Sequence, residues 1–220
     1  NPRLRAANPN SVLSSAVVAA TLDLPINQNL GFAHIVPYSG EAQFQMGWKG
    51  FVQLAIRTSQ YKTMNAAPVY EGELISYNRI TGEMEFDMDT RKSDKVVGYV
   101  AYFKLVNGFE KYYYMTLEEV RAHGQRYSKS FSTGNWSTNF EPMALKTVLK
   151  LLLSKYGVLS IEMRTALEAD QAIVNARGEG FEFDYKDGKE EPEAPANPVE
   201  VVKAPENLFD EGVNDAIEPE

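Results

Sequence analysis

The sequence predicts an α+β domain in which a small antiparallel or mixed sheet with hairpins packs against helices. Apolar residues recur at helical spacing in five stretches, and short apolar runs bounded by turn residues occur in two blocks between them. Strands that are grouped in blocks, rather than alternating singly with helices, are typical of this class.

Turn and capping residues set the limits of these elements. Ser11 is a candidate N-cap for the first helix, and Thr116 with Glu119 forms a capping box at the start of a later one. Asn107-Gly108 is a strong hairpin turn. The predicted elements are, in chain order, a helix over 12–22, a hairpin over 31–48 with its turn at Ser39-Gly40, a helix over 47–61, strands over 63–73, 82–89, 95–106 and 109–116, a helix over 117–128, a loop over 129–137, and helices over 136–157 and 160–178 that end at Gly157 and Gly178.

Charge is distributed unevenly along the chain. Residues 1–178 contain 19 Lys and Arg against 16 Asp and Glu, a net charge of +3, whereas residues 179–220 contain 3 against 14, a net charge of −11. The second segment is rich in proline and acids and poor in residues that could form a core, which predicts a disordered acidic tail. We therefore expect one folded, mildly basic domain over 1–178 and a tail over 179–220, and the overall charge does not exclude DNA binding.

Several absences narrow the class of protein further. The chain has no cysteine, which excludes a disulfide framework and a thiolate zinc site. No apolar run is long enough to span a bilayer and no secretory signal opens the chain, so we expect a cytoplasmic protein without a membrane partner. Since the first residue is Asn1, we also expect an N-terminal extension upstream. No Gly-x-x-x-x-Gly-Lys-Ser/Thr motif occurs, which argues against a motor driven by ATP.

The helix over 136–157 carries a cationic stripe. At 100° per residue, Asn139, Lys146, Lys150 and Ser154 fall within about 80° of one another. The opposite side is apolar and must face the core; its members are Leu145, Val148, Leu149, Leu151 and Leu152. We therefore expect the stripe to point away from the core, either as a solvated helix face or into a phosphate-binding groove.

The stretch from Arg121 to Arg164 is the most basic part of the chain and also contains Phe131 and Trp136. Cations interleaved with aromatic rings suit a nucleic-acid groove, because the cations neutralise phosphates and the rings stack on bases. For Trp136 two interpretations stay open, a contact with DNA or an anchor for the loop before the helix. The cations of this stretch are Arg121, Arg126, Lys129, Lys146, Lys150, Lys155 and Arg164.

Three stretches together resemble the RecT family of phage-type single-strand annealing proteins. They are LDLPINQNLGFAHIVPYSG, FQMGWKGFVQLAIRTSQYKTM and WSTNFEPMALKTVLKLL. The first is similar to the family's "LGL…LG-A-LLP" segment, GWKG in the second stands at the family's Gly-aromatic-basic-Gly turn into a helix, and the third fits "W…E-MA-KT". Order and spacing agree with the family from about Val12 to Ser160.

The resemblance implies a protein that binds single-stranded DNA, anneals complementary strands independently of ATP and holds the annealed duplex. It also implies that the protein is not an enzyme and needs no cofactor. It implies a homo-oligomer, either a ring or a helical filament, that acts in homologous recombination with a partner 5′–3′ exonuclease in a bacterial host cell. A host single-strand-binding protein is a further candidate partner. DNA is expected in a basic groove between the sheet and the helices. The candidate DNA-binding residues, from the motifs and the basic stretch, are Lys49, Arg57, Arg126, Lys129, Trp136, Lys146, Lys150 and Lys155.

Two other classes of protein compete with this interpretation. The first is a metal-dependent nuclease built on the acidic strand GEMEFDMD, although acids that alternate with apolar residues are more typical of a half-buried strand with its acids in water. The second is a non-catalytic interaction module whose lysine stripe contacts an acidic protein or the chain's own tail. His34 and His123 have no ligands at metal spacing, so we expect both to be structural.

Overall fold

Helices and antiparallel strands occur in separate blocks along the chain. The computed structural model describes residues 1–177 and 180–185. The helices are α1 (Pro2–Arg5), α2 (Pro9–Thr21), α3 (Trp48–Arg57), α4 (Leu117–Tyr127), α5 (Asn135–Thr138), α6 (Phe140–Tyr156) and α7 (Ile161–Ala169). The strands are β1 (Ala33–Tyr38), β2 (Glu41–Met46), β3 (Tyr61–Tyr70), β4 (Leu74–Tyr77), β5 (Met84–Phe86), β6 (Val96–Leu105), β7 (Glu110–Thr116), β8 (Ala172–Arg177) and β9 (Gly180–Asp184).

Three antiparallel sheets organise these strands. The first has four strands in the order β1-β2-β8-β9, the second has three in the order β3-β6-β7, and β4 and β5 form a two-stranded ribbon. Helix α6 packs across the three-stranded sheet, and α2 packs on β1, β2 and β8. The predicted α+β class is confirmed, with every described strand pairing antiparallel.

The β1–β2 hairpin has one face in the core and one face outside it. Its two-residue turn places Ser39 and Gly40 at φ +48° and +82°, the left-handed conformation that tight hairpins need. Successive side chains of a strand point to opposite faces. Phe44 therefore joins the core, whereas Gln43 and Gln45 lie on the other face. This second face forms one wall of the cleft described below.

Glycines allow α3 to start against the segment before β1. A Cβ atom on Gly47 would lie 1.9 Å from the carbonyl oxygen of Gly31, and one on Gly50 would lie 2.2 Å from that of Phe32. Both distances are far below any real contact of a Cβ atom. The GWKG motif is therefore a close-packing device, and it fixes Trp48 and Lys49 at the beginning of the helix.

Most of the predicted boundaries agree with the structure. The capping box at Thr116 is formed, and α6 ends at Gly157 as expected. The helix predicted over 12–22 is α2, which instead begins at Pro9 with Asn8 as its N-cap, and the Ser11 hydroxyl accepts a hydrogen bond from the backbone of β2. The short helix α1 and the strand β4 were not predicted, and the single helix predicted over 136–157 is divided into α5 and α6, the second of which begins at Phe140.

The prediction of a single helix over 160–178 is wrong. Helix α7 ends at Ala169, Gln171 turns the chain at φ +68°, and β8 follows. The apolar run of β8 suits a strand as well as a helix, and its pairing with β2 and β9 decides between them. Strand β9 lies inside the segment that the sequence predicts as a disordered tail, so this part of the prediction is wrong. Its alternating phenylalanines, Phe181 and Phe183, pack against the core. Residues 179 and 186–220 of that predicted tail, and Gly178, lie outside the described residues.

Candidate nucleic-acid interface

A cleft runs between the outer face of the β1–β2 hairpin and the segment that contains α5 and the start of α6. It consists of two adjoining cavities of about 640 and 620 Å³, and both have Val36, Gln45, Asn135 and Met143 in their walls. Each volume lies in the range of sites that hold small ligands. Because they share these residues, the two cavities form one continuous cleft.

The first cavity lies beside the hairpin turn and is lined mainly by neutral polar groups. Arg3 supplies a cationic side chain to its wall. The remaining polar walls are amides and hydroxyls from the hairpin, from the segment before α6 and from the turn before β8. They include Gln43, Gln45, Ser130, Thr133, Asn135 and Gln171.

The second cavity contains more positive charge. Lys49 and Lys146 supply its cationic side chains, and the imidazole of His34 and Gly47 at the N-cap of α3 belong to the same wall. No side chain caps the first turn of α3, and Gly47, Trp48 and Lys49 at this positive end of the helix dipole all line the cavity. Among the residues that the structure describes, neither cavity has an aspartate or a glutamate in its walls. The composition favours an anionic ligand.

The ammonium groups of Lys146 and Lys150 both contact Asp170. Lys146 Nζ donates to Asp170 Oδ1 at 2.7 Å, and Lys150 Nζ lies 3.1 Å from Oδ2. The backbone N–H of Met46 also donates to Oδ1, at 2.9 Å. Lys146 is 5% exposed and Asp170 is 1% exposed. The two lysines are therefore partners of a buried carboxylate, and the expectation that their stripe points away from the core is wrong.

The cause of this error is the environment of α6. Residues 144 to 149 are buried without interruption, so the middle of the helix is enclosed on all sides. A helical wheel assumes that one face of the helix is solvated. It cannot show that the turn after α7 covers the face with Lys146 and Lys150 and places the carboxylate of Asp170 there. Lys146 still reaches the wall of the second cavity, whereas Lys150 does not line either cavity. A contact of either lysine with DNA stays a prediction.

Trp136 anchors the segment before α6. It is 6% exposed, and its ring lies 5.7 Å from that of Phe131 and 5.6 Å from that of Phe140, measured between centroids. A Cβ atom on Gly124 would lie 3.0 Å from the indole, so α4 also packs closely on it. Trp136 lines the first cavity from this buried position. The anchoring interpretation describes its contacts, and a contact with DNA stays a prediction.

The other predicted residues lie in different places. Lys49 is exposed at the cleft, with its Nζ 6.0 Å from the centre of the Trp48 ring. Arg57 donates to the carbonyl oxygens of Leu22 and Asp23, both at 2.7 Å, and so ties α3 to the end of α2. Of the eight predicted residues, the structure brings three to the cleft, namely Lys49, Trp136 and Lys146.

Arg126, Lys129 and Lys155 do not line the cleft. The Arg126 guanidinium lies 5.2 Å from the centre of its neighbouring Tyr127 ring on α4, and Lys129 is exposed just after that helix. Lys155 Nζ lies 5.1 Å from the centre of the Tyr113 ring, at the far end of α6. About nine residues separate Lys155 from Lys146, which corresponds to roughly 14 Å along a helix. These three cations therefore lie outside the two cavities, and their contact with DNA stays a prediction.

Sequence reasoning missed Arg3, Gln43 and Asp170. A signal for Asp170 existed, because two lysines four residues apart on a leucine-rich helix need a counter-ion if the helix is enclosed. A signal for Gln43 existed as well, since it alternates with core residues along β2 and must face the other way. Arg3 precedes every motif, and nothing in the sequence links it to the cleft.

His34 lies on the hairpin within the electrostatic influence of this buried charge cluster. It stands opposite Gln45 in the hairpin and lines the second cavity. Burial lowers the pKa of His34, and the nearby positive charge of Lys146 lowers it further. A neutral imidazole is thus favoured in the cleft at neutral pH.

The acidic strand faces solvent. Glu83, Glu85, Asp87 and Asp89 are exposed, whereas Met84 and Phe86, which alternate with them, are half-buried. Asp87 accepts a hydrogen bond from the backbone N–H of Asp89 and so caps a 3₁₀ turn. The interpretation of this strand as a solvated face is confirmed.

These features define an α+β domain with a polar, cation-bearing cleft beside a β-hairpin. The chain belongs to the RecT family, which it matches over residues 1–194. Proteins of this family act in DNA recombination and strand annealing. The resemblance found in the three sequence motifs is therefore confirmed.

Two relatives illustrate the similarity. The chain is 54% identical over 169 residues to Uncharacterized protein YqaK of Bacillus subtilis (strain 168), an alignment that covers 76% of this chain and 59% of that protein. It is 29% identical over 179 residues to Protein RecT of Escherichia coli (strain K12), which covers 77% of this chain and 66% of that protein. The chain thus spans roughly six to seven tenths of the length of these relatives. In the part of the chain that the structure describes, no helix has the length and apolar character needed to cross a membrane.

Proposed function

We propose that the chain binds single-stranded DNA in the cleft and anneals complementary strands without ATP. One observation carries this proposal. Arg3 and Lys49 line two adjoining cavities whose described walls contain no carboxylate, and Lys146, which is paired with the buried Asp170, lines the second of them. Membership of the RecT family supports the same activity.

The proposed mechanism begins with the phosphates. Two complementary strands repel each other, and cations that bind phosphates release counter-ions and lower this barrier. Lys49 and the positive end of α3 converge in the second cavity, which suits a phosphate oxygen. Contacts with phosphates carry no sequence information, so binding is expected to be nearly independent of sequence.

Annealing then takes its free energy from base pairing. A strand held in an extended path cannot fold onto itself, and its bases remain available to a second strand. The absence of a phosphate-binding loop motif from the sequence agrees with activity in the absence of nucleotide. The protein supplies positioning and charge neutralisation.

We also propose that the active form is a homo-oligomer, a ring or a helical filament. A stable duplex spans more nucleotides than one cleft of this size covers, and adjacent clefts that act together gain avidity. Within this proposal, a 5′–3′ exonuclease that exposes single strands is the expected partner, and a host single-strand-binding protein is a further candidate.

The binding site is tested by replacing the exposed cations of the cleft. The double variant Arg3→Ala, Lys49→Ala should bind a labelled oligo-dT more weakly, and its log-log salt slope should fall by about 0.7 for each phosphate that the variant no longer neutralises. Lys62→Ala is the matched control, because Lys62 is an exposed lysine that lines neither cavity. Equal affinities and salt slopes for the wild type and the double variant would show that DNA does not bind in this cleft.

The activity is tested by mixing complementary oligonucleotides with the protein in the presence of EDTA and without nucleotide. Annealing faster than the spontaneous reaction, with both strands intact, is the expected result. Strand cleavage that chelator abolishes would instead indicate the nuclease class, and no binding of oligonucleotide at moderate salt would indicate an interaction module. Electron microscopy of the annealed mixture would show whether rings or filaments form.

A further inference from the structure

The first cavity contains a buried amide with an unused hydrogen-bonding group. Gln43 is 1% exposed, and no residue within the described part of the chain forms a hydrogen bond with its Nε2. Its Oε1 lies 3.5 Å from Nε2 of Gln45, the limit of a hydrogen bond. Buried amide donors are nearly always paired in native proteins, because an unpaired donor loses its hydration without compensation. A ligand that accepts a hydrogen bond at this point would restore the pairing.

The position of Gln43 is fixed by the sheet. Strand β2 lies between β1 and β8, and Gln43 is paired with Val36 on one side and with Ile173 on the other. The neighbouring Phe44 is buried in the core. The amide is thus held on a central strand, with its backbone restrained from both sides, and it lines the first cavity.

The surroundings of Gln43 differ from those of Lys49. The first cavity offers amides and hydroxyls, with Arg3 as its cationic side chain, whereas Lys49, Lys146 and the uncapped end of α3 belong to the second cavity. Neutral donors and acceptors match the edges of bases, and cations match phosphates. The two halves of the cleft are therefore suited to different parts of one nucleotide strand.

We propose that Gln43 Nε2 donates a hydrogen bond to the minor-groove edge of a base in the bound strand. This inference rests on the proposed function and adds a base contact to it. The N3 atoms of both purines and the O2 atoms of both pyrimidines are acceptors at this edge, so an amide donor can contact any of the four bases. A contact there also leaves the Watson–Crick edge free for the incoming strand. The protein then holds bases in position for pairing without selecting a sequence.

Strands with single-atom changes test this interaction on the full chain. In 3-deazaadenine a C–H group replaces N3 and removes the acceptor of the minor-groove edge, whereas 7-deazaadenine changes only the major-groove edge. Oligo-dA, fully 3-deaza oligo-dA and fully 7-deaza oligo-dA should be compared by fluorescence anisotropy at one salt concentration. Full substitution makes the result independent of binding register.

The wild-type protein should bind the 3-deaza strand about three- to tenfold more weakly than oligo-dA, the effect of removing one hydrogen bond, and should bind the 7-deaza strand as tightly as oligo-dA. Gln43→Met, which keeps the size of the side chain and removes the amide, should bind oligo-dA and its 3-deaza form equally. Gln53→Met on α3 is the matched control, since Gln53 lines neither cavity, and it should behave as the wild type.

Equal binding of oligo-dA and its 3-deaza form by the wild-type protein would overturn the inference and leave the proposed function intact. Weaker binding of the 7-deaza strand instead would place the hydrogen bond at the other edge of the base and would also overturn it. Discrimination that survives in a folded Gln43→Met variant would assign the hydrogen bond to another residue. Failure to bind any of the three strands would remove the proposed function, and the inference with it.

Discussion

Replacing Lys146 with methionine separates a structural role of this lysine from a DNA-binding role. Methionine keeps most of the volume of the side chain and removes its charge. In the wild-type protein, Lys146 Nζ donates to Asp170 Oδ1 at 2.7 Å, with both side chains buried. The substitution therefore removes one of two ammonium groups from a carboxylate that is shielded from water.

The expected loss of stability follows from this geometry. Two unit charges 2.7 Å apart attract each other by about 6 kcal/mol at an effective dielectric constant of about 20, and desolvation of both groups offsets much of this energy. Removing one partner of a buried ion pair typically costs about 3–5 kcal/mol. Lys150 and the backbone N–H of Met46 still contact Asp170 in the variant. We therefore expect the free energy of unfolding to fall by about 3 kcal/mol, the lower end of that range.

Urea denaturation followed by circular dichroism measures this loss. Lys49→Met is the control, because Lys49 is an exposed lysine of the same cleft and its replacement should change the free energy of unfolding by less than about 0.5 kcal/mol. A double-mutant cycle with Asp170→Asn should show coupling between positions 146 and 170. A folded Lys146→Met protein as stable as Lys49→Met, with weakened DNA binding, would refute the reasoning and restore the stripe as a DNA-contacting surface.

Three further predictions concern pH and packing. Burial and Lys146 hold the pKa of His34 below its ordinary value of 6.5, so the unfolded state binds the proton more readily than the folded state does. The free energy of unfolding should therefore fall as the pH drops below about 6.5. Urea denaturation between pH 7.5 and 5 should show a smaller fall for His34→Gln than for the wild type. Tyr61→Phe should lower the free energy of unfolding by about 1–3 kcal/mol in the same assay, because the Val158 N–H donates to the Tyr61 hydroxyl at 2.7 Å. An unchanged midpoint of urea denaturation would contradict this prediction. Gly50→Ala should lower the melting temperature measurably, since its Cβ atom would lie 2.2 Å from the Phe32 carbonyl oxygen, and wild-type melting would show that α3 can shift without cost.

Local signals predicted most of the fold. The turn at Ser39-Gly40 and the capping box at Thr116 act within a few residues, so their sequence patterns were sufficient to place the hairpin and α4. The run that forms β8 has no such signal, and it becomes a strand because Ala172 pairs with Phe44, far away in the sequence. Propensity alone could not have shown this partner.

The candidate site was predictable only where a motif positions it. The GWKG motif placed Lys49 at the start of a helix, and the structure brings this residue to the cleft. Lys146 was correctly assigned to α6, but its surroundings depend on Asp170. The turn between α7 and β8, at Gln171, places this carboxylate beside α6. A pattern on one helix gives the direction of a side chain relative to that helix and nothing about what another element places beside it.

The carboxylate of Asp170 joins three parts of the molecule, namely α6, the end of β2 and the turn after α7. The hairpin wall and the helical wall of the cleft are therefore held together, and neither can slide past the other without breaking its hydrogen bond to this carboxylate. Under the proposed function, a bound strand would therefore adapt its path to two walls whose relative position is already fixed.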